Sequence, residues 1–523
     1  MSLLEFPVIS RTDWSEIRNQ MKRRSFLKLS SLALTGILTQ SCSLTGEKYY
    51  DISIKSDIQL GHLIFASASF SDGNVFSTDY LVVGGGIAGL SAACQIRDRD
   101  FVLCELSEDL GGSSSSQSYA GEIFSQGAHY DLAYPDYYGQ ETLQFLEELG
   151  VIFYDSGVGL WDFVDSQYLI EAQNESKTLT EDGLKEQVLA PSNLKEDFLK
   201  LLSPYLPEMK MPTRLISEKL RFLNKTSFTE FLQSSLVLTP VFKKGIDYQM
   251  KDDYGANADK ISALAGIHYY MCRPYYTKDV SLFSPPEGNY YFINKMANTL
   301  PKGNIRMSHL VRNISKTNKH FDVEVINIKH GTVDIYQTQK IIYAGQKHSL
   351  KYIFPPDGLL FNNNEYAPWL IINFVLHDKG KSDSFWQNEF LTEDLHFMGF
   401  IDSASQARRK GNYRIFTAYY CFDSTQRILL ASITDTAQAI VAKTIEKICL
   451  YFNQDITSQV KKVFIKVMGH AMPIPKTNYL FNDKNLSRSE PNMVYAGVDN
   501  SRLPLLFEAL DSGIQAIAEL DLV

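Results

Sequence analysis

A chain of 523 residues is too long for one ordinary hydrophobic core, so two or three lobes are expected, with room to bury a large cofactor. Its 44% hydrophobic and 21% charged residues describe a globular protein, and a formal charge of -9 gives no reason to expect a nucleic-acid partner. The six cysteines, at 42, 94, 104, 272, 421 and 449, include no CxxC pair and no His/Cys spacing suited to zinc. Neither a metal site nor a redox dithiol is expected, and most of these cysteines are read as small core residues.

Near the N-terminus, MKRRSFLKLSSLALTGILTQSCS occupies residues 21–43. Its apolar run, Leu27–Leu38, is too short and too interrupted by Ser and Thr to span a bilayer, and it suits the core of a signal segment. Lys22, Arg23 and Arg24 stand before it, and the order R-R-S-F-L-K matches a twin-arginine export address. The segment ends in LTQSC, which is similar to a lipoprotein cleavage box in which Cys42 would be acylated. Thr39 holds the place where Leu is usual, and ordinary cleavage nearby is the alternative. Met21 is then the expected start, residues 1–20 lie upstream of it, and the expected location is periplasm or cell envelope, with a lipid anchor as the membrane contact.

Residues 43–78 read as an extended lead-in without a domain of their own. From Asp79 the texture changes: DYLVVGGG is an apolar strand, IAGLSAACQI a helix and DFVLCEL a second strand, which together make a βαβ unit. Gly84, Gly86 and Gly89 form G-x-G-x-x-G directly between strand and helix. The first glycine permits a tight turn, the second lets the backbone approach a pyrophosphate, and the third lets helix and strand pack closely. The helix N-terminus offers unpaired N–H groups to an anion. Glu105, twenty-one residues after Gly84, ends the second strand, where an acid accepts hydrogen bonds from a ribose diol. These features predict a dinucleotide site, and the glycines alone do not choose between FAD and NAD.

Residues 140–265 are expected to be mostly helical, with breaks at Pro191, Pro204, Pro207 and Pro212. A helix over NYYFINKMANTL then leads into strands NIRMSHLVRNI, FDVEVINIK, TVDIYQTQ and KIIYAG. Residues 368–377, 397–402 and 413–420 alternate like strands, and the chain closes with a strand, MVYAGVD, and a helix, LLFEALDSGIQAIAEL.

After Glu105 the chain continues as ELSEDLGGSSSS, with Gly111 and Gly112 at the spacing of the second glycine pair in FAD enzymes. In this it resembles the amine oxidase, protoporphyrinogen oxidase and phytoene desaturase superfamily. Those proteins usually place Arg after the pair, where this chain has Ser113. QGAHYD, with Gly127, Ala128 and His129, resembles the segment lying against the flavin ring. IRMSHLVRNI resembles the strand whose Val, here Val311, meets the adenine, and VYAGVD…FEALDSGIQAI resembles the closing motif. There Gly497 and Asp499 would meet the pyrophosphate and ribityl end, with Ser512 and Gly513 in the helix beneath; Ala88 belongs to the first glycine turn.

The resemblance covers most of residues 79–523 and implies an α/β fold: a Rossmann-like FAD-binding domain interleaved with an α+β substrate domain. The FAD domain would comprise 79–135, 290–350 and 490–523, and the substrate domain 136–289 and 351–489. The activity implied is FAD-dependent oxidation of a small apolar or amine substrate, with oxygen or a quinone as acceptor. Amine oxidases of this group commonly keep a Lys on a substrate-domain strand; in APWLIINFVL, Trp369 takes that place, as a substrate platform or as packing. YAPWLIINFVL and GHAMPIPKTNYL are similar to an exported bacterial branch of the superfamily. His470 is then a candidate for moving a proton near the flavin, since an unperturbed imidazole titrates near ~6.5, or a structural histidine at a strand end. His129 is the second candidate relay. An NAD-dependent dehydrogenase and a flavin-binding lipoprotein without turnover are the alternatives.

Overall fold

The run Tyr80–Val83 has no polar side, and all four residues are buried, as a central parallel strand requires. In the computed structural model, which describes residues 49–522 apart from 67–69, 130–137, 172–175, 187–191, 273–280, 378–384, 408–411 and 483–486, this run ends the strand Ser71–Val83. That strand pairs in parallel with Phe101–Glu105 on one side and Thr332–Tyr343 on the other. Ile305–Met307 and Met493–Tyr495 extend the parallel sheet at its two edges. The first part of Thr332–Tyr343 continues into an antiparallel ribbon with Phe321–Asn327 and His309–Lys316. Helix Ile87–Gln95 packs on the sheet, with Tyr290–Ala297 and the closing helix Leu506–Asp521 against it.

The second sheet has eight strands, in the order Ile52–Ser56, Val460–Pro473, Tyr366–His377, Tyr413–Cys421, Phe397–Asp402, Gln387–Leu391, Ser176–Thr180 and Gly183–Glu186. Its central strands send alternate side chains to opposite faces. Leu370, Ile372, Phe374, Ala418, Tyr420, Val463 and Ile465 pack with helix Ile433–Phe452 in one core. Trp369, Ile371, Thr417, Tyr419, Lys466 and Met468 face the other way, into a cavity shared with the first sheet. Tyr50–Val523 form one compact unit. Among the described residues no single helix is long and apolar enough to cross a membrane.

Two expectations are corrected. The lead-in is not apart from the domains: Ile52–Ser56 joins the edge of the second sheet beside Val463–Val467, and the nucleotide strand already starts at Ser71. The helical expectation for residues 140–265 fails between Ile152 and Glu186, where five short strands lie, and helices resume from Ser192. Glycines 150, 159 and 183, all at positive φ, turn the chain there and interrupt the helical spacing. The export address and Cys42 lie outside the described residues.

Candidate functional site

The turn at Gly84–Gly89 is built from backbone. Gly84 stands at φ +101°, a conformation that side chains disfavour, while its N–H donates to the Cys104 carbonyl at 2.8 Å. A Cβ on Gly89 would lie 1.9 Å from the Gly84 carbonyl oxygen, so the third glycine allows the helix to sit down on the turn. Gly86 precedes helix Ile87–Gln95 with extended backbone and no side-chain cap, which leaves the first N–H groups facing the cavity. The second glycine pair folds back against this turn through Gly111 N–H to the Gly85 carbonyl at 2.9 Å. A Cβ on Gly112 would approach the Gly86 Cα at 3.9 Å, so the two glycine turns form a narrow cradle of bare backbone.

Glu105 is buried, and its carboxylate accepts from Gly85 N–H at 2.6 Å and Ser107 N–H at 2.8 Å. Burial raises its pKa, against those two hydrogen bonds, which favour the ionised form. A carboxylate fixed in this way still has lone pairs to accept from a ribose diol.

The cavity has a volume of about 1100 Å³ and reaches from this cradle to an aromatic chamber on the second sheet. Of the residues picked from the sequence, Gly84, Gly86, Ala88, Glu105, Gly111, Gly112, Gly127, Ala128, His129, Val311, Trp369, His470, Gly497 and Asp499 all line it. Gly89, Ser512 and Gly513 do not line it and act from behind. The Ser512 hydroxyl accepts from Gly497 N–H at 2.9 Å, and Gly513 lets the closing helix cross the first helix. Asp499 is committed within the protein. One of its oxygens accepts from Lys347 N–H at 2.8 Å and Tyr366 O–H at 3.0 Å, and the other meets Lys347 Nζ at 3.1 Å. Lys347, which the sequence did not single out, is buried, and burial lowers its pKa. It also donates to the carbonyl of Ala496 at 2.6 Å, so it ties the turn after Tyr343 to the closing motif.

In the chamber, Trp369 and Tyr419 stack with ring centroids 5.7 Å apart and planes 9° from parallel. His129 packs against Tyr419 and Trp386 at 5.5 and 6.3 Å. Tyr419, Trp386, Gln387, Asp252 and Asp253 also line the chamber. Strand alternation in YRIFTAYYC put Tyr419 on one face, but only its pairing with Ile371 shows that this face is the cavity. His470 stacks on His348 at 3.6 Å, with Tyr366 edge-on at 5.5 Å. Burial is the main cause holding His129 and His348 down to about 4 and His470 down to about 3. All three are therefore neutral near pH 7, and the ordinary imidazole value that recommended His470 does not apply in place.

Cys94, Cys104 and Cys421 are buried in the core, and among the described residues no group of His, Cys, Asp and Glu could hold a metal ion.

Residues 82–149 match the family of NAD(P)-binding Rossmann-like domains. None of the curated proteins matches the chain. Among solved structures it is similar to a protein assigned as a protoporphyrinogen oxidase from Exiguobacterium sp. 255-15, at 14% identity and TM-score 0.60, covering 86% of this chain and 99% of that one. A putrescine oxidase bound to putrescine matches at 12% identity and TM-score 0.58, covering 86% and 100%. A cyclohexylamine oxidase from Brevibacterium oxydans IH-35A matches at 12% and 0.58, covering 85% and 98%. The cradle, the aromatic chamber and these alignments together show that the chain has the two-domain α/β fold of these oxidases over nearly the whole of their length.

Proposed function

We propose that the protein is an FAD-dependent oxidoreductase that takes a hydride from a small organic substrate, at an amine C–H or at a C–C bond that becomes a double bond. One observation carries this reading: a single cavity joins the bare-backbone cradle at Gly84–Gly86 and Gly111–Gly112 to the chamber at Trp369, Tyr419 and His129. The residues present fit the cofactor. Glu105 would hold the ribose, the helix at Ile87 and the glycine turns the pyrophosphate, and Gly127, Ala128 and Gly497 the inner end. When bound, the flavin supplies the hydride acceptor.

The chain's own part is binding, orientation and exclusion of water. Trp369 and Tyr419 present parallel ring faces on which an apolar or cationic group can lie. Asp252 and Asp253 give the chamber its carboxylates, which favours an amine over a neutral hydrocarbon. His129, held neutral by burial, offers the chamber a hydrogen-bonding ring nitrogen rather than a fixed positive charge.

Oxygen or a quinone would reoxidise the flavin. Export by the twin-arginine route, which carries folded proteins, suits a site closed by both ends of the fold, and Cys42 would tether the product to the membrane if acylated. The R-R-S-F-L-K order and the apolar run at Leu27–Leu38 support this placement. The test of function is anaerobic addition of diamines, cyclic amines and polyenes to the purified protein. Bleaching of the flavin band by an amine supports the reading; a colourless protein that binds NAD instead contradicts it.

A further inference from the structure

The cavity must receive a ligand with two phosphates, yet its buried cations are few. Among the described residues lining it, the Lys and Arg side chains are Lys351, Arg427 and Lys466. Lys351 is exposed and lies over the ring of Tyr352. Arg427 donates to the carbonyls of Gly469 and Tyr366. Lys466 differs from both: it is 3% exposed, and it projects from the inner face of the second sheet in a row with Ile371 and Tyr419.

Its partner is Asp57, at 2.9 Å, in the segment that runs from the edge of the second sheet into the nucleotide strand. Helix Ile58–Gly61 and the turn His62–Phe65 follow, and they line the cavity too. Lys55, two residues before Asp57, pairs with Asp109 in the loop that carries the second glycine pair. The Lys466–Asp57 pair lies toward the dinucleotide end: both residues line the cavity together with Glu105, and Lys55 ties the same segment to the glycine-pair loop. A buried ammonium loses much hydration, and one partly exposed carboxylate is incomplete compensation. Three donors on Nζ can serve two anions at once.

We propose that Lys466 is a phosphate-binding residue of the dinucleotide site, delivered from the substrate domain, with Asp57 as the carboxylate that shares its charge. It supplies the positive charge that Ser113 does not provide beside the second glycine pair. The inference rests on the reading that the cavity holds FAD.

Lys466 and Asp57 should then act with opposite sign, which a purely structural pair would not do. The experiment titrates FAD into flavin-stripped protein and follows flavin fluorescence at 50 and 500 mM salt, for wild type, Lys466→Met, Lys466→Arg and Asp57→Asn. Expected are a loss of tenfold or more for Lys466→Met with a flatter salt dependence, near wild-type affinity for Lys466→Arg, and equal or tighter binding for Asp57→Asn. Wild-type affinity in Lys466→Met, or a loss in Asp57→Asn matching that of Lys466→Met, overturns the proposal. If Lys466→Met does not fold, as judged by circular dichroism, the sign of the Asp57→Asn effect decides alone. Failure of the wild type to bind FAD defeats the function reading itself, a result distinct from wild-type binding that Lys466→Met leaves unchanged.

Discussion

Gly513 of the closing helix lies so close to the first helix that a Cβ there would stand 2.4 Å from the Ala88 carbonyl oxygen. The two ends of the nucleotide-binding domain meet at this crossing, immediately behind the cradle. Gly513→Val must push the helices apart, and overpacking of this kind costs about 1–3 kcal/mol. A lower melting temperature and weaker flavin retention are expected together, measured by thermal unfolding with flavin fluorescence as the second signal. Unchanged values of both would show that the helices part easily.

Glu105 uses its two carboxylate oxygens on Gly85 and Ser107, at the cradle's ribose end. Glu105→Gln keeps the shape but offers one acceptor oxygen in place of two, and hydrogen bonds to a charged group contribute about 1.5–3 kcal/mol. FAD affinity should fall about 10- to 100-fold on the scale of 1.4 kcal/mol per decade, read by equilibrium titration.

Acid should destabilise the protein through its neutral histidines. His129, His348 and His470 are held to about 4, about 4 and about 3, below an ordinary value of 6.5. The stability they carry is complete above that ordinary value and is lost as pH falls toward the folded values, because the unfolded chain binds the protons first. His470→Gln should therefore lose less stability than wild type between pH 6.5 and 4 in denaturant titrations. It should leave any pH–rate limb between about 6 and 8 in place.

Glu508 has the opposite sign. It is fully buried in the first turn of the closing helix, accepts from Thr213 N–H at 2.7 Å, and burial raises it to about 7 from 4.5. The folded state keeps this proton where the unfolded chain has released it, so stability falls as pH rises from 4.5 to about 7. Glu508→Gln should raise the melting temperature at pH 8 and change it little at pH 4, with Arg502 still paired to Asp511 at 2.6 Å.

The parts of the site that could be read from the sequence are those whose chemistry is local. Gly84, Gly86, Gly89 and Glu105 sit within one βαβ unit, where spacing alone sets the geometry, and Gly84, Gly86 and Glu105 reach the cavity. Trp369 and Gly497 were found through resemblance, and they line it as well. What the sequence hid was assembled by pairing over long distances. Lys466 meets Asp57 only because Ile52–Ser56 joins a strand more than 400 residues later. Tyr419 joins the chamber through its register with Ile371, and Lys347 joins the closing motif through its bond to Asp499. Alternation says that a side chain has a face; it does not say which cavity that face borders. Burial likewise took the three histidines away from the titration range that their residue type suggests.

The most direct measurement is the visible spectrum of the purified full-length protein, with the released cofactor quantified after denaturation. The expected result is a yellow protein with an oxidised-flavin band near ~450 nm, the usual region for that cofactor chemistry, and FAD close to one per chain. A colourless protein that neither retains nor rebinds FAD would contradict it.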